Sequence, residues 1–106
     1  MDISVIVPLF NEAESLPELY AWIQRVMNEN KFSYEVIFVN DGSFDNSLDI
    51  IKSLSKKDKL IKYVSLSRNF GKEAALYAGL KHTDGEYVSL IDADLQQRPE
   101  IVRQMV

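Results

Sequence analysis

Apolar runs of strand length alternate along this chain with longer segments in which apolar residues recur at helical spacing. The runs predict four strands, at residues 3–7, 34–40, 61–67 and 87–92. The fourth belongs to an apolar run from Glu86 to Ile91 that is predicted to be buried. Because strands that alternate with helices indicate repeated βα units, the pattern predicts an α/β fold with a mainly parallel sheet and flanking helices.

Three helices are predicted between these strands. The first ends near Asn28, and Ser15 with Glu18 has the spacing of a capping box at its start. The second begins at about residue 45 or 46, and the third spans about residues 72–81. Small residues in the third helix allow close packing on the sheet, and these are Ala74, Ala75, Ala78 and Gly79.

A polar cluster follows every predicted strand. The clusters comprise Pro8, Asn11 and Glu12 after the first strand, residues 40–43 after the second, residues 68–72 after the third, and Asp92, Asp94 and Gln96 after the fourth. In a doubly wound sheet, ligands bind outside the carboxyl ends of the strands. We therefore expect the functional site at this edge of the sheet.

The acidic cluster after the fourth strand predicts a metal site. Side chains alternate in direction along an extended segment, so Asp92, Asp94 and Gln96 share one face. Their oxygen atoms suit Mg²⁺ or Mn²⁺, ions that are often shared with the phosphates of a substrate. The cluster thus indicates a metal-bound diphosphate. The alternative is that Asp92 and Asp94 only end a strand and cap the helix that begins at Pro99.

The other clusters also have simple structural interpretations. Asp41, with the glycine and serine that follow it, fits a tight turn. Asn11 and Glu12 fit a solvated loop, and Arg68 and Lys72 fit surface ion pairs. For Asn11 and Lys72 we prefer the structural interpretation. For Asp41 and the acidic cluster we prefer a function, because polar clusters recur at the same edge of the sheet.

Composition excludes several other classes of protein. The chain has 106 residues, enough for one domain, and a net charge of −4 without a basic stripe, so a nucleic-acid partner is not expected. Without cysteine there are no disulfides or thiolate zinc sites, and the one histidine, His82, is expected at an exposed helix end. No basic segment opens the chain and no apolar run is long enough to span a bilayer, which predicts a cytoplasmic setting.

Three segments, in this order, resemble the family 2 glycosyltransferases. They are residues 4–12 (SVIVPLFNE), residues 39–43 (VNDGS) followed by Asp45, and residues 92–94 (DAD). The resemblance covers essentially the whole chain. It implies a Rossmann-like GT-A fold in which residues 1–106 form the N-terminal, nucleotide-sugar-binding half of the domain, a UDP- or GDP-hexose as donor, and Mg²⁺ or Mn²⁺ as cofactor.

Within that family, residues 67–75 (SRNFGKEAA) and 92–96 (DADLQ) most resemble the polyprenyl-phosphate hexosyltransferases. Dolichol-phosphate mannosyltransferase and the bactoprenol-phosphate glucosyltransferases are of this type. The resemblance implies inverting transfer of a hexose to polyprenyl phosphate at the cytoplasmic face of a membrane, with membrane contact only through residues beyond Val106. It leaves a homo-oligomer open. The chain departs from many relatives at Asn40, where they carry an acid, and at residues 97–98.

The resemblance also implies roles for residues near the nucleotide. Asp41 would contact the base, and Pro8 and Glu12 would line the base and ribose pocket. Ser43 would belong to the same nucleotide-sugar site.

Further roles by resemblance concern the phosphates, the sugar and the metal. Arg68 and Lys72 would lie near the diphosphate or the acceptor phosphate, and Asp92 near the ribose or the sugar. Asp94 and Gln96 would bind the metal, which makes Asp92 and Asp94 the catalytic candidates.

Two alternatives remain open. One is a family 2 transferase that uses a hydroxyl acceptor on a polysaccharide, which would need a carboxylate base from beyond Val106. The other is a module that binds a nucleotide sugar without catalysis. In either case, the 106 residues alone are expected to lack transferase activity.

Overall fold

Strands and helices alternate in the computed structural model, which describes residues 2–91 apart from the side chain of Lys72. The elements are β1 (Ile3–Leu9), α1 (Leu16–Glu29), β2 (Tyr34–Asp41), α2 (Ser47–Lys57), β3 (Ile61–Leu66), α3 (Lys72–Leu80) and β4 (Tyr87–Leu90). The predicted α/β alternation is confirmed over these residues. In this part of the chain, no helix is both long enough and apolar enough to cross a membrane.

The four strands form one parallel sheet in the order β3-β2-β1-β4. From β1 the chain moves outward through β2 to β3, and α3 then carries it back past β1 to β4. The strand order therefore reverses at β1. In a sheet of this kind, the crevice at the carboxyl ends of the strands beside the reversal is the usual ligand site.

Two apolar cores cover the two faces of the sheet. On one face, alternate residues of β1 and β2 pack with α1 and with Ile51 of α2. The core on this face includes Trp22 of α1, which is 7% exposed. On the other face, Ile6, Ile37 and Val39 pack against Ala75 of α3. β1 and β2 are thus covered on both faces, which fixes the loops at their ends.

Close packing of α3 depends on a glycine, as predicted. A Cβ added at Gly79 would lie 2.7 Å from Cγ2 of Ile6 and 3.2 Å from Cγ2 of Val39. The helix backbone therefore rests directly on β1 and β2. Since α3 follows the loop after β3, this contact also fixes the position of that loop.

The predicted capping box at the start of α1 is wrong. Ser15 is the N-cap residue, but no side-chain hydrogen bond caps the helix. Its backbone is helical, with φ −85° and ψ −22°, whereas a capping serine is typically extended. The reason is a turn just before the helix, in which the N–H groups of Ser15 and Leu16 both donate to the carbonyl of Glu12.

The prediction of a fully buried fourth strand is also wrong in part. Tyr87 is 71% exposed and Val88 is 45% exposed, while Ser89 is buried. In the described sheet β4 lies at the edge and pairs with β1 alone. An apolar run can indicate a strand, but it does not reveal whether a neighbouring strand covers it. The end predicted for this strand, Asp92, lies outside the described residues.

Candidate functional site

Three loops meet at the carboxyl edge of the sheet. They are the β1–α1 loop (residues 10–15), the β2–α2 loop (residues 42–46) and the β3–α3 loop (residues 67–71). Most of the polar residues singled out in the sequence lie in these loops or at the strand ends just before them.

Asp41 joins the end of β2 to the β3–α3 loop. Its Oδ1 accepts the N–H of Phe70 at 2.8 Å and its Oδ2 accepts the N–H of Gly71 at 3.1 Å. Asp41 is 5% exposed, and its carboxylate lies at the start of α3, where the helix dipole favours a negative charge. Asp41 therefore fixes the loop that carries Arg68.

Gly42 lets the same two loops approach each other. Its φ is +74°, which favours glycine, and an added Cβ would lie 2.3 Å from the carbonyl carbon of Arg68 and 2.4 Å from the nitrogen of Asn69. Any side chain at this position would push the β3–α3 loop away. The glycine predicted to form a turn therefore also permits contact between two backbones.

Hydrogen bonds also join the β1–α1 loop to the β2–α2 loop, through Asn11, Ser43, Asp45 and Ser47, which we call the loop brace. Asn11 Oδ1 accepts the N–H of Phe44 at 2.7 Å, and the N–H of Asn11 donates to Ser43 Oγ at 2.9 Å. The N–H groups of residues 12 and 13 donate to Ser47 Oγ at 3.1 Å and Asp45 Oδ2 at 3.2 Å. The two loops are thus connected in both directions.

Asp45 is ionised within this brace. Burial raises the pKa of its carboxyl. Hydrogen bonds from the hydroxyl and N–H of Ser47 and from the N–H of Ala13 lower the pKa by more than burial raises it, so the pKa lies below its ordinary value. A negative charge at the start of α2 is also favoured by the helix dipole.

Asn40 is 2% exposed and hydrogen-bonded on both sides. Its Nδ2 donates to Ser65 Oγ at 3.3 Å, and its Oδ1 accepts the N–H of Ser43 at 3.1 Å. The amide supplies a donor to one neighbour and an acceptor to another. An ionised acid could not donate to Ser65, so the amide fits this position on β2.

Aromatic rings near the site were not predicted from the sequence. Phe10 and Phe44 meet edge to face with ring centroids 5.8 Å apart, and Phe44 is 87% exposed. The guanidinium carbon of Arg68 lies 4.7 Å from the centre of the Phe70 ring, which is a cation–π contact. The sequence feature that could have indicated them is the position of these phenylalanines within the polar clusters or directly after one.

The structure brings part of the predicted site together. Pro8 is buried at the carboxyl end of β1, and Glu12 and Ser43 are held in the facing loops by the brace. Asp41 lies beside the loop of Arg68, which is exposed. These positions are compatible with the expected roles.

The remaining predicted residues cannot be placed with the others. Lys72 begins α3, but its side chain is not described. The catalytic and metal candidates Asp92, Asp94 and Gln96 lie outside the described residues. The last described residue, Ile91, donates its N–H to the carbonyl of Ile6 on β1 at 3.0 Å.

The metal expectation therefore depends on residues after Ile91. Within residues 2–91, no group of three or more histidine, cysteine, aspartate or glutamate side chains could hold a metal ion. The donor set predicted from the sequence, the carboxylate of Asp94 and the amide oxygen of Gln96, has the hard oxygen atoms that Mg²⁺ and Mn²⁺ prefer. By chemistry, these donors fit the ion.

Comparison with known sequences places the chain among glycosyltransferases. The family model described as glycosyl transferase family 2 matches residues 4–106. The bactoprenol glucosyl transferase of Shigella phage SfX is 42% identical over all 106 residues, which cover 35% of its length. The prophage bactoprenol glucosyl transferase homolog of Escherichia coli strain K12 is 41% identical over the same residues. The chain thus spans about a third of the length of these relatives.

Solved structures show the same fold. The crystal structure of Staphylococcus aureus TarS 1-349 in complex with UDP-GlcNAc is 31% identical, with a TM-score of 0.76 over 89% of this chain and 27% of that one. The mannosyltransferase PcManGT from Pyrobaculum calidifontis, in complex with GDP-Man and Mn²⁺, is 29% identical, with a TM-score of 0.77 over 87% of this chain and 27% of that one. The chain belongs to glycosyl transferase family 2 and has the GT-A fold.

Proposed function

We propose that residues 1–106 form the nucleotide-sugar-binding part of an enzyme that transfers a hexose from a UDP- or GDP-sugar to polyprenyl phosphate. The observation that carries the proposal is the 42% identity, over the whole chain, with a bactoprenol glucosyl transferase. The structural relatives TarS and PcManGT, which hold UDP-GlcNAc and GDP-Man, support a nucleotide sugar as donor. A polyprenyl-phosphate acceptor implies work at a membrane surface.

In this proposal the loops at the carboxyl edge hold the donor. Asp41 accepts a hydrogen bond from the base, while Pro8 and Glu12 line the base and ribose pocket and Ser43 belongs to the same nucleotide-sugar site. The exposed guanidinium of Arg68, supported by the Phe70 ring, is available to the diphosphate or to the acceptor phosphate.

Residues after Ile91 complete the proposed chemistry. Asp92 lies near the ribose or the sugar, and Asp94 and Gln96 hold Mg²⁺ or Mn²⁺. Lys72, at the start of α3, adds a cation near the phosphates. The ion, when bound, stabilises the negative charge of the departing nucleoside diphosphate. A phosphate acceptor is already anionic and attacks the anomeric carbon without a general base, with inversion at that carbon.

The test of the proposed function is an acceptor assay with the full-length protein. Labelled UDP- and GDP-hexoses are offered together with polyprenyl phosphate in detergent or with oligosaccharides, and the configuration of the product is determined by NMR. We expect transfer to polyprenyl phosphate with inversion. Transfer to oligosaccharides alone would favour a hydroxyl acceptor, and binding of donor without any transfer would favour a non-catalytic module.

The first prediction concerns the metal. Asp94→Ala removes a proposed ligand, so donor binding by the full-length protein should lose its dependence on Mg²⁺ or Mn²⁺ together with most of its affinity. Calorimetric titration with UDP and GDP, with and without the ion, measures this. Asp49→Ala, on an exposed position of α2, is the control and should bind as the wild type does. Equal affinity with and without metal in the wild type would contradict the prediction.

A further inference from the structure

Asn11 takes part in hydrogen bonds to three residues of the facing loop. Its Oδ1 accepts the N–H of Phe44 at 2.7 Å and that of Asp45 at 3.3 Å, and its own N–H donates to Ser43 Oγ at 2.9 Å. The residue is exposed, so its position alone resembles that of an ordinary loop residue. Its contacts show a structural connection instead.

The backbone of Asn11 explains why asparagine occupies this position. Its φ is +54°, in the left-handed region, which asparagine tolerates better than most residues other than glycine. The same residue also needs a side-chain acceptor for the N–H groups of the β2–α2 loop. Glycine would satisfy the backbone but not the hydrogen bonds, whereas asparagine satisfies both.

The connection made by Asn11 continues across the site. Asn11 lies between Phe10 and Glu12 on one loop, and its partner Ser43 directly follows Asp41 and Gly42 at the end of β2. Asp41 in turn holds the β3–α3 loop through the N–H groups of residues 70 and 71. All three loops at the carboxyl edge are therefore joined within the chain itself.

We propose that Asn11 is a positioning residue for the nucleotide of the donor, and that it fixes the β1–α1 and β2–α2 loops relative to each other before the donor binds. The inference rests on the proposed function, because it assumes that these loops hold the nucleotide. A site that is already ordered does not have to be ordered by its ligand, and binding is stronger as a result. Asn11 itself does not touch the reacting atoms in this role.

The test compares Asn11→Gly with the wild type in the full-length protein. Glycine keeps the left-handed backbone available and removes the acceptor oxygen. Hydrogen exchange at the N–H groups of Phe44 and Asp45 should become faster, and the affinity for UDP or GDP should fall roughly tenfold, as expected when a preorganised site must be ordered on binding. In the transfer assay, KM for the donor should rise while kcat changes little.

Tyr20→Phe is the control for a general loss of stability. Tyr20 donates its hydroxyl hydrogen to Asp58 Oδ2 at 2.8 Å, at the C-terminal end of α2 and away from the three loops. Its loss should lower stability while exchange at Phe44 and nucleotide affinity stay as in the wild type.

The outcomes separate the two proposals. If the wild type binds neither UDP nor GDP with or without metal, the proposed function is overturned, and the positioning role with it. If the wild type binds and Asn11→Gly binds equally well, only the positioning role is overturned. A similar loss of affinity in Tyr20→Phe would also overturn it, because the effect would then follow from stability.

Discussion

The carboxylate of Asp41 serves the fold and, in the proposed function, the ligand as well. An ionised carboxylate offers about four acceptor positions, and the N–H groups of Phe70 and Gly71 occupy two of them. In the proposed function, another of these positions accepts a hydrogen bond from the nucleotide base. Because Asp41 holds the loop that carries Arg68 and, in the proposed function, also contacts the base, recognition of the base depends on the position of that loop.

Replacing Asp41 by alanine should therefore weaken nucleotide binding. We expect a loss of roughly 1–3 kcal/mol for UDP or GDP, as is usual when a buried polar partner is removed. Calorimetry on the full-length variant measures the loss, and circular dichroism checks that the variant folds. A folded Asp41→Ala variant with unchanged affinity would leave Asp41 with its structural role only.

The sequence revealed which residues gather at the site, but not how they contact each other. The strands and their polar ends are local patterns, so the edge that carries Pro8, Asp41 and Arg68 was predictable. Asn11 was assigned to a solvated loop because its partners lie 32 to 34 residues further along the chain. Contacts at such separations depend on the strand order, which the local patterns of a single sequence do not reveal.

The type and order of the elements were predicted well, because the periodicity of apolar residues determines them. Capping and burial were predicted poorly, because they depend on neighbouring parts of the structure. The described strands and helices occur in the predicted order. The capping box failed because a turn before α1 sets the backbone of Ser15. The predicted burial of β4 failed because Tyr87 and Val88 lie on the strand at the edge of the described sheet.

The contact of α3 with the sheet gives a prediction at the scale of elements. Gly79→Ala raises helix propensity by up to about 1 kcal/mol. It also places a methyl group within 2.7 Å of Ile6 Cγ2, and overpacking of this kind costs about 1–3 kcal/mol. The cost of overpacking should therefore exceed the gain in helix propensity, and urea denaturation should show a net loss of stability.

A second variant checks the cause of that loss. Ile6→Ala removes the side chain that the new methyl group would meet, so the two changes together should destabilise less than the sum of each alone. Additive effects, or a stabilised Gly79→Ala variant, would contradict the close packing of α3.

At the scale of the whole molecule, the two ends of the sheet differ in their polar groups. The loops occupy the carboxyl edge, whereas an ion pair between the buried Glu35 and the partly exposed Lys62 lies near the amino ends of the strands. Glu35, 1% exposed, accepts the hydroxyl of Ser4 at 2.6 Å and the N–H of Asp84 at 2.7 Å on Oε2. The ammonium of Lys62 lies 2.7 Å from its Oε1 and 2.9 Å from Asp84 Oδ2. This cluster ties β1, β2 and β3 to the turn before β4.

The pKa values of the pair follow from these contacts. Burial raises the pKa of Glu35, but hydrogen bonds from Lys62, Ser4 and the N–H of Asp84 outweigh it, so the pKa lies below the ordinary 4.5. Hydrogen bonds to Glu35 and Asp84 raise the pKa of Lys62 above 10.5. The contribution of Glu35 to stability is therefore complete above pH 4.5 and is lost as the pH falls through its lower folded pKa. That of Lys62 is complete below pH 10.5 and is lost as the pH rises through its higher folded pKa.

Lys62→Met isolates the contribution of this cluster from those of Asp2 and Asp45, whose pKa values are also lowered. Without the ammonium, Glu35 stays buried with fewer donors and its pKa rises, so the loss of stability on acidification should begin at a higher pH. At pH 7 the variant should be less stable by roughly 1–2 kcal/mol, less than for a fully buried pair because Lys62 is 43% exposed. Urea denaturation from pH 3 to pH 7 measures both effects.

Lys59→Met is the matched control for that experiment, because it removes the same charge from an exposed position just before β3. Its stability should follow the wild-type pH dependence, while the stability of Lys62→Met should begin to fall at a higher pH, because the pKa of Glu35 is raised in that variant. Nucleotide affinity should be unchanged in both variants, because the cluster and the loops lie at opposite ends of the strands. Parallel pH curves for the two variants would show that the ammonium of Lys62 does not determine the charge of Glu35.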